Sequence, residues 1–415
     1  MTRSDKVFLV ALIGGALIVE FAILYYFFIL IPAKPLVKPP SRYLIEVEKD
    51  KIPQFQFTFS HEALEELKIA FERQKEFLSK KINYGNELPF GETKLPASLI
   101  RESAELFLQT MQEAKTQNEL NRLIRERFLI FQAAGEGGEG EVLFTGYYAP
   151  VYEGSLKREG AFIYSLYVRP EDLKVVDLGE FIPALKGERL VYRIDPFKGE
   201  IAPYWTREDI TKRKVLEGQG LEFVYLKDRL DKFSLMIEGS GKIVLDDGET
   251  LWVNYAATNA RPYTSLTHLL EKEGKLPRGK LSMPSIREYF QRHPEQMESY
   301  LNQNERFIFF VKDEKKEGAT GATGCLLTPQ RSIAIDDKIF PLGALVYLEY
   351  PEPQVNEKGE GVGMRNEAGF AFCQDTGGVI KGPGRADIYF GEGEKGFVGG
   401  EYLKGEGKLY FLIKK

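Results

Sequence analysis

The chain has 415 residues, 43% of them hydrophobic, and a formal net charge of −5. This length and apolar content predict more than one folded domain with a packed core and argue against disorder. The negative charge argues against nucleic acid as a partner, because surfaces that bind nucleic acid are basic. The three histidines lack the i, i+4 spacing of a zinc-binding helix, so the sequence predicts neither a metal site nor a cofactor.

The N-terminal segment has the composition of a membrane anchor. Residues 7–31 are apolar except for Glu20. A helix of this length, at about 1.5 Å per residue, is long enough for a bilayer core of roughly 30 Å, and the run is longer than a signal-peptide core. Arg3 and Lys6 precede it and favour a cytoplasmic N-terminus. We therefore expect one uncleaved transmembrane helix at residues 7–31, then a proline-rich tether at residues 32–54 and an extracytoplasmic body.

Signals for successive helices follow the tether. Ser60 has the character of an N-cap residue, since its hydroxyl can accept from a first-turn amide. Pro96 favours the start of a second helix, because its fixed φ suits the first turn. Thr116 and Glu119 have the spacing of a capping box, which predicts a third helix that continues to about Gln132.

The pattern changes after a glycine-rich joint at residues 135–140. Residues 141–255 alternate as short strands broken by turns, helical patterns return at 263–275 and 285–302, and strands dominate from 306 onward. This order predicts a mainly β chain with N-terminal helices, of the α+β class.

The same order predicts the division into domains. A β-domain at residues 144–245 is inserted into a discontinuous main domain at residues 55–143 and 246–415. Cys325 and Cys373 both fall in strand-like runs of the main domain. They are either two buried thiols or a disulfide of an oxidising compartment, and both interpretations stay open because spacing along the chain sets no distance between them.

The most informative stretch lies near the C-terminus, between Asp375 and Asp387. Each aspartate stands at the edge of an apolar, strand-like run, and glycines and Lys381 lie between them. Glycine has no Cβ, so such a loop lets backbone approach a ligand closely. Two acids at strand ends around this loop indicate a site, although a turn aspartate that only binds backbone amides has the same pattern.

Several segments, in order from about residue 55 to the end, together resemble the membrane-bound lytic murein transglycosylase A family. They are FTGYYAP at 144–150, IEGSGKI at 237–243, LSMPSIR at 281–287, SIAIDD at 332–337 ahead of FPLG at 340–343, and the stretch 372–389. Asp336, Asp375 and Asp387 resemble the three aspartates of that family's 3D domain.

The resemblance implies a double-psi β-barrel, with the 3D domain at about residues 320–390, a second β-domain inserted into it, and a groove between the two. It also implies a peptidoglycan lytic transglycosylase. Such enzymes cleave the β-1,4 bond between N-acetylmuramic acid and N-acetylglucosamine without water and leave a 1,6-anhydro ring. Characterised members are typically held by a lipid on an N-terminal cysteine, so the apolar segment of this chain leaves open which membrane holds it.

Ring closure by the sugar's own C6 hydroxyl needs one carboxyl group, which acts first as acid and then as base. The position in the family motif assigns this role to Asp387, with Asp375 in support and Asp336 as a structural turn residue. Three interpretations of Lys381 stay open: it pairs with Asp375, it contacts a substrate carbonyl, or it is a solvated loop lysine. The residues expected to bind the glycan are Thr145, Gly146, Tyr147, Tyr148, Gly239, Ser240 and Lys381.

Two other functions fit the same residues. An ordinary wall-glycan endo-hydrolase would use Asp387 as acid and Asp375 as base, because most glycosidases need a pair of carboxyl groups. A non-catalytic scaffold would only bind peptidoglycan. For each of these functions, the expected partners are peptidoglycan strands, a membrane, and a complex for wall synthesis or division.

Overall fold

The computed structural model describes residues 42–185, 187–277, 282–313, 318–355 and 361–415. The predicted anchor at residues 7–31 and the first part of the tether lie outside these ranges. Within them, no helix combines the length and the apolar composition that a membrane crossing requires.

The elements are as follows. The N-terminal part contains β1 (Leu44–Glu46), α1 (His61–Asn83), β2 (Glu87–Phe90), β3 (Thr93–Pro96), α2 (Ala97–Glu113), α3 (Gln117–Arg127) and β4 (Phe128–Ala133). The middle part contains β5 (Val142–Ala149), β6 (Val151–Ser155), β7 (Tyr164–Tyr167), β8 (Lys174–Asp177), β9 (Arg189–Ile194), β10 (Ile201–Pro203), α4 (Arg207–Thr211), β11 (Glu222–Leu226), α5 (Arg229–Glu238), β12 (Ser240–Leu245), β13 (Thr250–Thr258), α6 (Leu266–Lys272), α7 (Met283–Arg292), α8 (Pro294–Gln303) and β14 (Ile308–Asp313). The C-terminal part contains β15 (Ser332–Ile335), β16 (Leu345–Val355), β17 (Gly361–Thr376), β18 (Arg385–Glu392), α9 (Gly393–Tyr402) and β19 (Lys404–Lys414). Short 3-10 helices lie at Lys49–Lys51, Leu178–Glu180 and Pro183–Leu185.

The C-terminal strands close into a barrel. The hydrogen-bonded order is β19-β16-β17-β15-β18-β5, and β5 pairs again with β19, which completes the ring. Strands β4 and β1 extend the sheet beyond β19. Strand β5, from the middle of the chain, runs parallel to β18, and β15 runs parallel to β17. Closure leaves the strands of the ring without a free edge, so their backbone groups are paired on both sides.

A second sheet leaves the barrel directly after β5. Strand β5 ends at Ala149, and β6 begins at Val151 in a separate sheet of order β14-β13-β12-β6-β11-β7. A third, three-stranded sheet has the order β10-β9-β8. The strands β13 and β14 pair within the second sheet, whereas the sequence analysis assigned residues from 246 onward to the main domain. The exact domain boundaries stay a prediction.

The helix predictions were correct at their starts and less so at their ends. Ser60 caps α1, because its Oγ accepts from the amide of Ala63 at 3.1 Å. Pro96 is the N-cap residue of α2. The third helix ends at Arg127, not at Gln132, since residues 128–133 form β4 and pair with β19.

Two further differences arise from local context. The predicted helix 285–302 is divided at His293 and Pro294 into α7 and α8, because proline cannot donate the amide that a continuous helix needs. The region 141–255, predicted as strands alone, also contains α4 and α5. Asp228 caps α5 by accepting from the amides of Leu230 and Asp231, a start signal of the usual kind.

The close approach of α9 to β5 yields a test of the packing. A Cβ on Gly146 would overlap the backbone carbonyl of Gly399, which cannot rotate away. We expect Gly146→Ala to lower the free energy of unfolding by about 2 kcal/mol, as overpacking does. The matched control is Gly137→Ala, where a Cβ meets no atom within 4 Å. Urea unfolding measures both, and equal stabilities for the two variants would contradict the assigned contact.

Candidate active site

The strand register brings the two aspartates of the C-terminal stretch to one face of the barrel sheet. Ala334 on β15 pairs with Asp375 on β17 and with Asp387 on β18. Asp387 in turn pairs with Thr145 on β5. Residues directly opposite each other on neighbouring strands point to the same face, so these four side chains share one side of the sheet.

A β-bulge at Gln374 makes this arrangement. The register between β15 and β17 shifts between Ile333 and Ala334, and Gln374 is the residue that the shift passes over. Gln374 is fully buried, and its side chain binds the hydroxyl of Ser332 and the carbonyl oxygen of Ala70. Without the extra residue, Asp375 would point to the opposite face, because side chains alternate along a strand.

Asp387 lies in a largely buried setting with two donors on one oxygen. Its side chain is 16% exposed, and Oδ1 accepts from the hydroxyl of Thr145 and, at 3.1 Å, from the guanidinium of Arg385. Arg385 also donates to the hydroxyl of Thr145 at 2.9 Å. Burial raises the pKa of Asp387, while Thr145 and Arg385 oppose that rise. Oδ2 has no assigned donor within the described residues.

Asp375 is bound on both oxygens. Oδ2 accepts from the hydroxyl of Tyr147 at 2.9 Å, and Oδ1 accepts from the amides of Ala322 and Thr376, each at 2.9 Å. Burial raises the pKa of Asp375 to about 6, and these donors oppose the rise. Asp375 therefore ties together β5, the segment before β15 and the end of β17.

The third aspartate and the loop lysine form a separate pair. Asp336 is buried and accepts from the amides of Lys338 and Gly382. Lys381 is about half exposed, and its Nζ lies 3.8 Å from Oδ1 of Asp336. Of the interpretations left open for Lys381, the pairing with Asp375 is not the one that the structure shows, because the loop turns its lysine toward Asp336.

A Cβ would meet protein rather than open space at three glycines of this loop, one of which, Gly377, faces the side chain of Ile380 within the loop itself. A Cβ on Gly378 would overlap the guanidinium of Arg306, and a Cβ on Gly384 would overlap the backbone of Glu136. At Gly382, φ is +79°, and a Cβ there would meet no atom within 4 Å. The close backbone approach expected for this loop therefore serves packing at Gly378 and Gly384 and backbone conformation at Gly382.

The two tyrosines of β5 point to opposite sides of the strand. Tyr147 faces the aspartates, and its ring centroid lies 5.3 Å from that of Tyr389. Tyr148 is buried against the ring of Phe397, on α9, with centroids 5.7 Å apart. The strand therefore offers Tyr147 to the aspartate face and uses Tyr148 for packing.

Gly239 and Ser240 lie where α5 gives way to β12. Gly239 ends α5 with φ 80°, a left-handed conformation that favours glycine, and Ser240 is buried at the start of β12. The structure does not bring either of them into contact with Asp375 or Asp387 by a hydrogen bond among the described residues. The neighbouring Glu238 is closer to the site, because its Oε2 accepts from the amide of Tyr148 at 3.3 Å.

Glu238 and Glu401 are acids that the sequence analysis did not select. Burial raises the pKa of Glu238 to about 8, with further contributions from the charges of Glu401 and Asp387. Burial also raises the pKa of Glu401, whose Oε1 accepts from the amide of Met283. Glu238 lies within the segment IEGSGKI at 237–243, next to Gly239, and this position could have indicated it. No pattern around Glu401 distinguishes it from a solvated helix residue.

The ranges that the structure describes contain no cluster of histidine, cysteine, aspartate and glutamate side chains able to hold a metal ion. Cys325 and Cys373 are both buried and free.

Comparisons with known proteins agree with this geometry. Residues 143–311 match the MltA specific insert domain and residues 331–412 match the 3D domain. Membrane-bound lytic murein transglycosylase A of Escherichia coli K12 is 30% identical over 275 residues, 66% of each chain. The Vibrio cholerae protein of the same name is 29% identical over 286 residues, 68% of each chain.

The chain belongs to the membrane-bound lytic murein transglycosylase A family.

Solved structures of the family share the fold. A membrane-bound lytic murein transglycosylase from Agrobacterium tumefaciens superimposes with a TM-score of 0.69 at 21% identity, covering 89% of this chain and 97% of that one. Escherichia coli MltA with bound chitohexaose gives a TM-score of 0.66 at 20% identity, covering 91% and 95%. The predicted fold class, a double-psi β-barrel with N-terminal helices and an inserted β-domain, is confirmed.

The raised pKa of Glu238 predicts a pH-dependent stability. Its pKa is about 8 in the folded chain against an ordinary 4.5, so folding opposes loss of its proton, and the resulting destabilisation grows as pH rises from 4.5 to 8. Glu238→Gln keeps an acceptor for Tyr148 without the charge. The free energy of unfolding of this variant should exceed that of wild type at both pH values. We expect the excess to be about 2 kcal/mol larger at pH 8 than at pH 5, a figure reduced for the partial exposure of the Glu238 side chain.

Urea unfolding of both proteins at the two pH values measures this difference. Glu126→Gln, in an exposed ion pair with Arg122, is the control and should show no such pH-dependent gain. A Glu238→Gln variant that is equally stable relative to wild type at both pH values would mean that the carboxylate is charged at little cost.

Proposed function

We propose that this chain cleaves the β-1,4 bond between N-acetylmuramic acid and N-acetylglucosamine in peptidoglycan without water, with Asp387 as the single acid and base. The observation that carries the proposal is the contrast between the two aspartates. Among the residues that the structure describes, Oδ2 of Asp387 accepts no hydrogen bond, whereas both oxygens of Asp375 do. The relatives named lytic murein transglycosylases support the same reaction.

The reaction balances with one carboxyl group. Protonated Asp387 donates its proton to the glycosidic oxygen while the bond from C1 to that oxygen breaks. The resulting carboxylate then removes the proton from the C6 hydroxyl of the muramic acid, whose oxygen bonds to C1 and closes the 1,6-anhydro ring. Asp387 regains its proton, and no water is consumed.

Burial of Asp387 supports the first step. An aspartate with a pKa of about 3.9 would need roughly 4 kcal/mol to be protonated at pH 7. Each unit by which burial raises the pKa removes about 1.4 kcal/mol of that cost. The direction of the shift at Asp387 is therefore the one that an acid catalyst needs.

Asp375 acts in support. A hydrolase of the two-carboxylate type needs a second carboxylate that can hold or activate water. Asp375 instead accepts from Tyr147, Ala322 and Thr376, so we propose that it fixes these segments and holds Tyr147 beside the reacting groups. Because both oxygens of Asp375 already accept hydrogen bonds from the protein, this arrangement favours the lyase over the endo-hydrolase.

The glycan contacts remain proposals. A chitohexaose-bound structure of the Escherichia coli relative supports a glycan strand as the ligand. We propose that Thr145 and Tyr147 line the strand site and that Gly146, Tyr148, Gly239, Ser240 and Lys381 complete or support it. We also propose anchoring by residues 7–31 with an extracytoplasmic body. The relatives named membrane-bound support membrane association, and partners in wall synthesis or division remain a hypothesis.

Removal of the acid tests the assignment. We expect Asp387→Asn to lower the rate of release of anhydro-ended fragments from murein by about 10³-fold, the scale of general acid–base catalysis. Mass spectrometry of the digest measures both the rate and the terminus. The control Asp337→Asn changes an exposed aspartate that follows Asp336 in the chain, and this variant should retain full activity. Undiminished release by folded Asp387→Asn would overturn the assignment.

The same digests separate the alternatives. Asp375→Asn should lower the rate by roughly 10-fold and leave the anhydro ends unchanged. Reducing ends from wild type, with both aspartate variants equally inactive, would establish the hydrolase. Folded wild type that clears no murein in a zymogram would instead support the scaffold.

The contact of Arg385 with Asp387 leads to a prediction of how the activity depends on pH. Its guanidinium, 3.1 Å from Asp387 Oδ1, lowers the pKa of that carboxyl. Arg385→Gln therefore raises the pKa, so Asp387 stays protonated to higher pH. We expect the alkaline limb of kcat/KM to move up by about 1 pH unit, whereas the exposed control Arg365→Gln leaves it in place. A limb that moves to lower pH would contradict Asp387 as the acid.

A further inference from the structure

The inserted sheet contains a cavity of about 230 Å³ that the reaction at Asp387 does not use. Strands β7 and β11 and helices α4, α5 and α8 surround it. Its lining combines aromatic rings, such as Tyr164 and Tyr225, with hydroxyl groups, such as Ser165 and Thr211. A cavity of this size holds a small organic molecule.

Lys232 lines this cavity and lacks a negative partner. It is 8% exposed, and its Nζ lies 5.2 Å from the ring centroid of Tyr167 and 5.3 Å from that of Phe307. None of the described carboxylates lies within ion-pair distance of its ammonium group. Burial, together with the nearby charges of Arg207 and Arg229, lowers the pKa of Lys232 to about 7.

A second buried cation stands beside it. Arg207 is 4% exposed, and its guanidinium donates to the backbone carbonyls of Asn304 and Arg306. These carbonyls satisfy its hydrogen bonds but carry no net charge, so among the described residues neither Arg207 nor Lys232 has a carboxylate at ion-pair distance. A buried charge is ordinarily paired.

The acidic residues that line the cavity either pair with cations other than Lys232 and Arg207 or lie beyond ion-pair distance of Lys232. Glu217 pairs with Arg158 and Lys214, and Glu298 pairs with Arg229 at 3.4 Å. Glu222 acts on Lys232 only as a more distant charge that raises its pKa. The cavity therefore has an excess of positive charge next to apolar and hydroxyl surface.

We propose that this cavity binds a small organic carboxylate, whose negative group pairs with Lys232 and whose carbon skeleton lies against the tyrosines. Two sources carry this chemistry: a carboxylate of a murein peptide stem, or a free small carboxylate. Lys232 and Glu238 both lie on helix α5, about 9 Å apart along its axis. Glu238 accepts a hydrogen bond from the amide of Tyr148. The cavity thus lies at one end of a helix whose other end contacts the barrel strand β5.

Calorimetry with acetate and with glutarate as probes, on the full chain, tests the site. We expect saturable one-to-one binding by wild type and at least 10-fold weaker binding by Lys232→Met, in which an apolar chain replaces the unpaired cation. The control Lys212→Met removes a cation outside the cavity, paired with Glu208, and should bind as wild type does. Absence of saturable binding by wild type, or equal binding by Lys232→Met, overturns the proposal.

A rim variant covers the case in which Lys232→Met does not fold. Arg229 is 37% exposed and pairs with Glu298, so Arg229→Gln leaves the interior in place and lowers the positive charge at the cavity. We expect it to bind glutarate about 3-fold more weakly at pH 6, where Lys232 is protonated with or without Arg229. Unchanged affinity in this variant would overturn the electrostatic account of the site.

Activity measurements then separate the two sources. If the carboxylate belongs to a peptide stem, Lys232→Met should lower kcat/KM on peptide-bearing murein and leave it unchanged on stem-free glycan strands. If it is a free small carboxylate, the variant should act like wild type on both substrates while its glutarate binding is lost. The binding measurement does not require the proposed lyase activity, so failure of one is distinguishable from failure of the other.

Discussion

The parallel pairing of β5 with β18 is the constraint on which the rest of the structure depends. It closes the barrel between strands that lie far apart in the chain, and its register sets Thr145 beside Asp387. The same strand carries Tyr147 to Asp375 and continues through Pro150 into the inserted sheet. A single run of backbone hydrogen bonds therefore positions Asp387, which is the proposed acid, the neighbouring Asp375 and the inserted sheet.

Burial of carboxyl groups near this pairing has opposing effects on stability and on chemistry. Taking a carboxylate out of water is unfavourable, so burial raises the pKa of Asp375, Asp387 and Glu238. Asp375 is partly compensated by three donors, and Asp387 by Thr145 and Arg385. Glu238 has only one amide. The barrel thus tolerates a local cost in stability, and the direction of the pKa shift at Asp387 is the one that the proposed acid catalysis needs.

Much of the architecture was predictable because its signals are local. Ser60 and Pro96 mark helix starts through their own backbone chemistry, and the alternation of the later segments indicates strands. The end of the third helix was not predictable in this way, since pairing with β19 converts residues 128–133 into a strand. The partner of Lys381 was also missed, because loop closure onto Asp336 depends on contacts outside the loop.

The sequence by itself determined most of the element types, the family and the identity of the candidate acids, since these follow from residue order and local chemistry; residues 128–133 and helices α4 and α5 are the exceptions. Only the tertiary structure decided how the acids differ. The bulge at Gln374 turns Asp375 to the face of Asp387, and the donors around each carboxyl come from segments far apart in the chain. Glu401 and Lys232 became visible for the same reason: burial and partners are properties of the folded chain, and a residue's neighbours in sequence do not specify them.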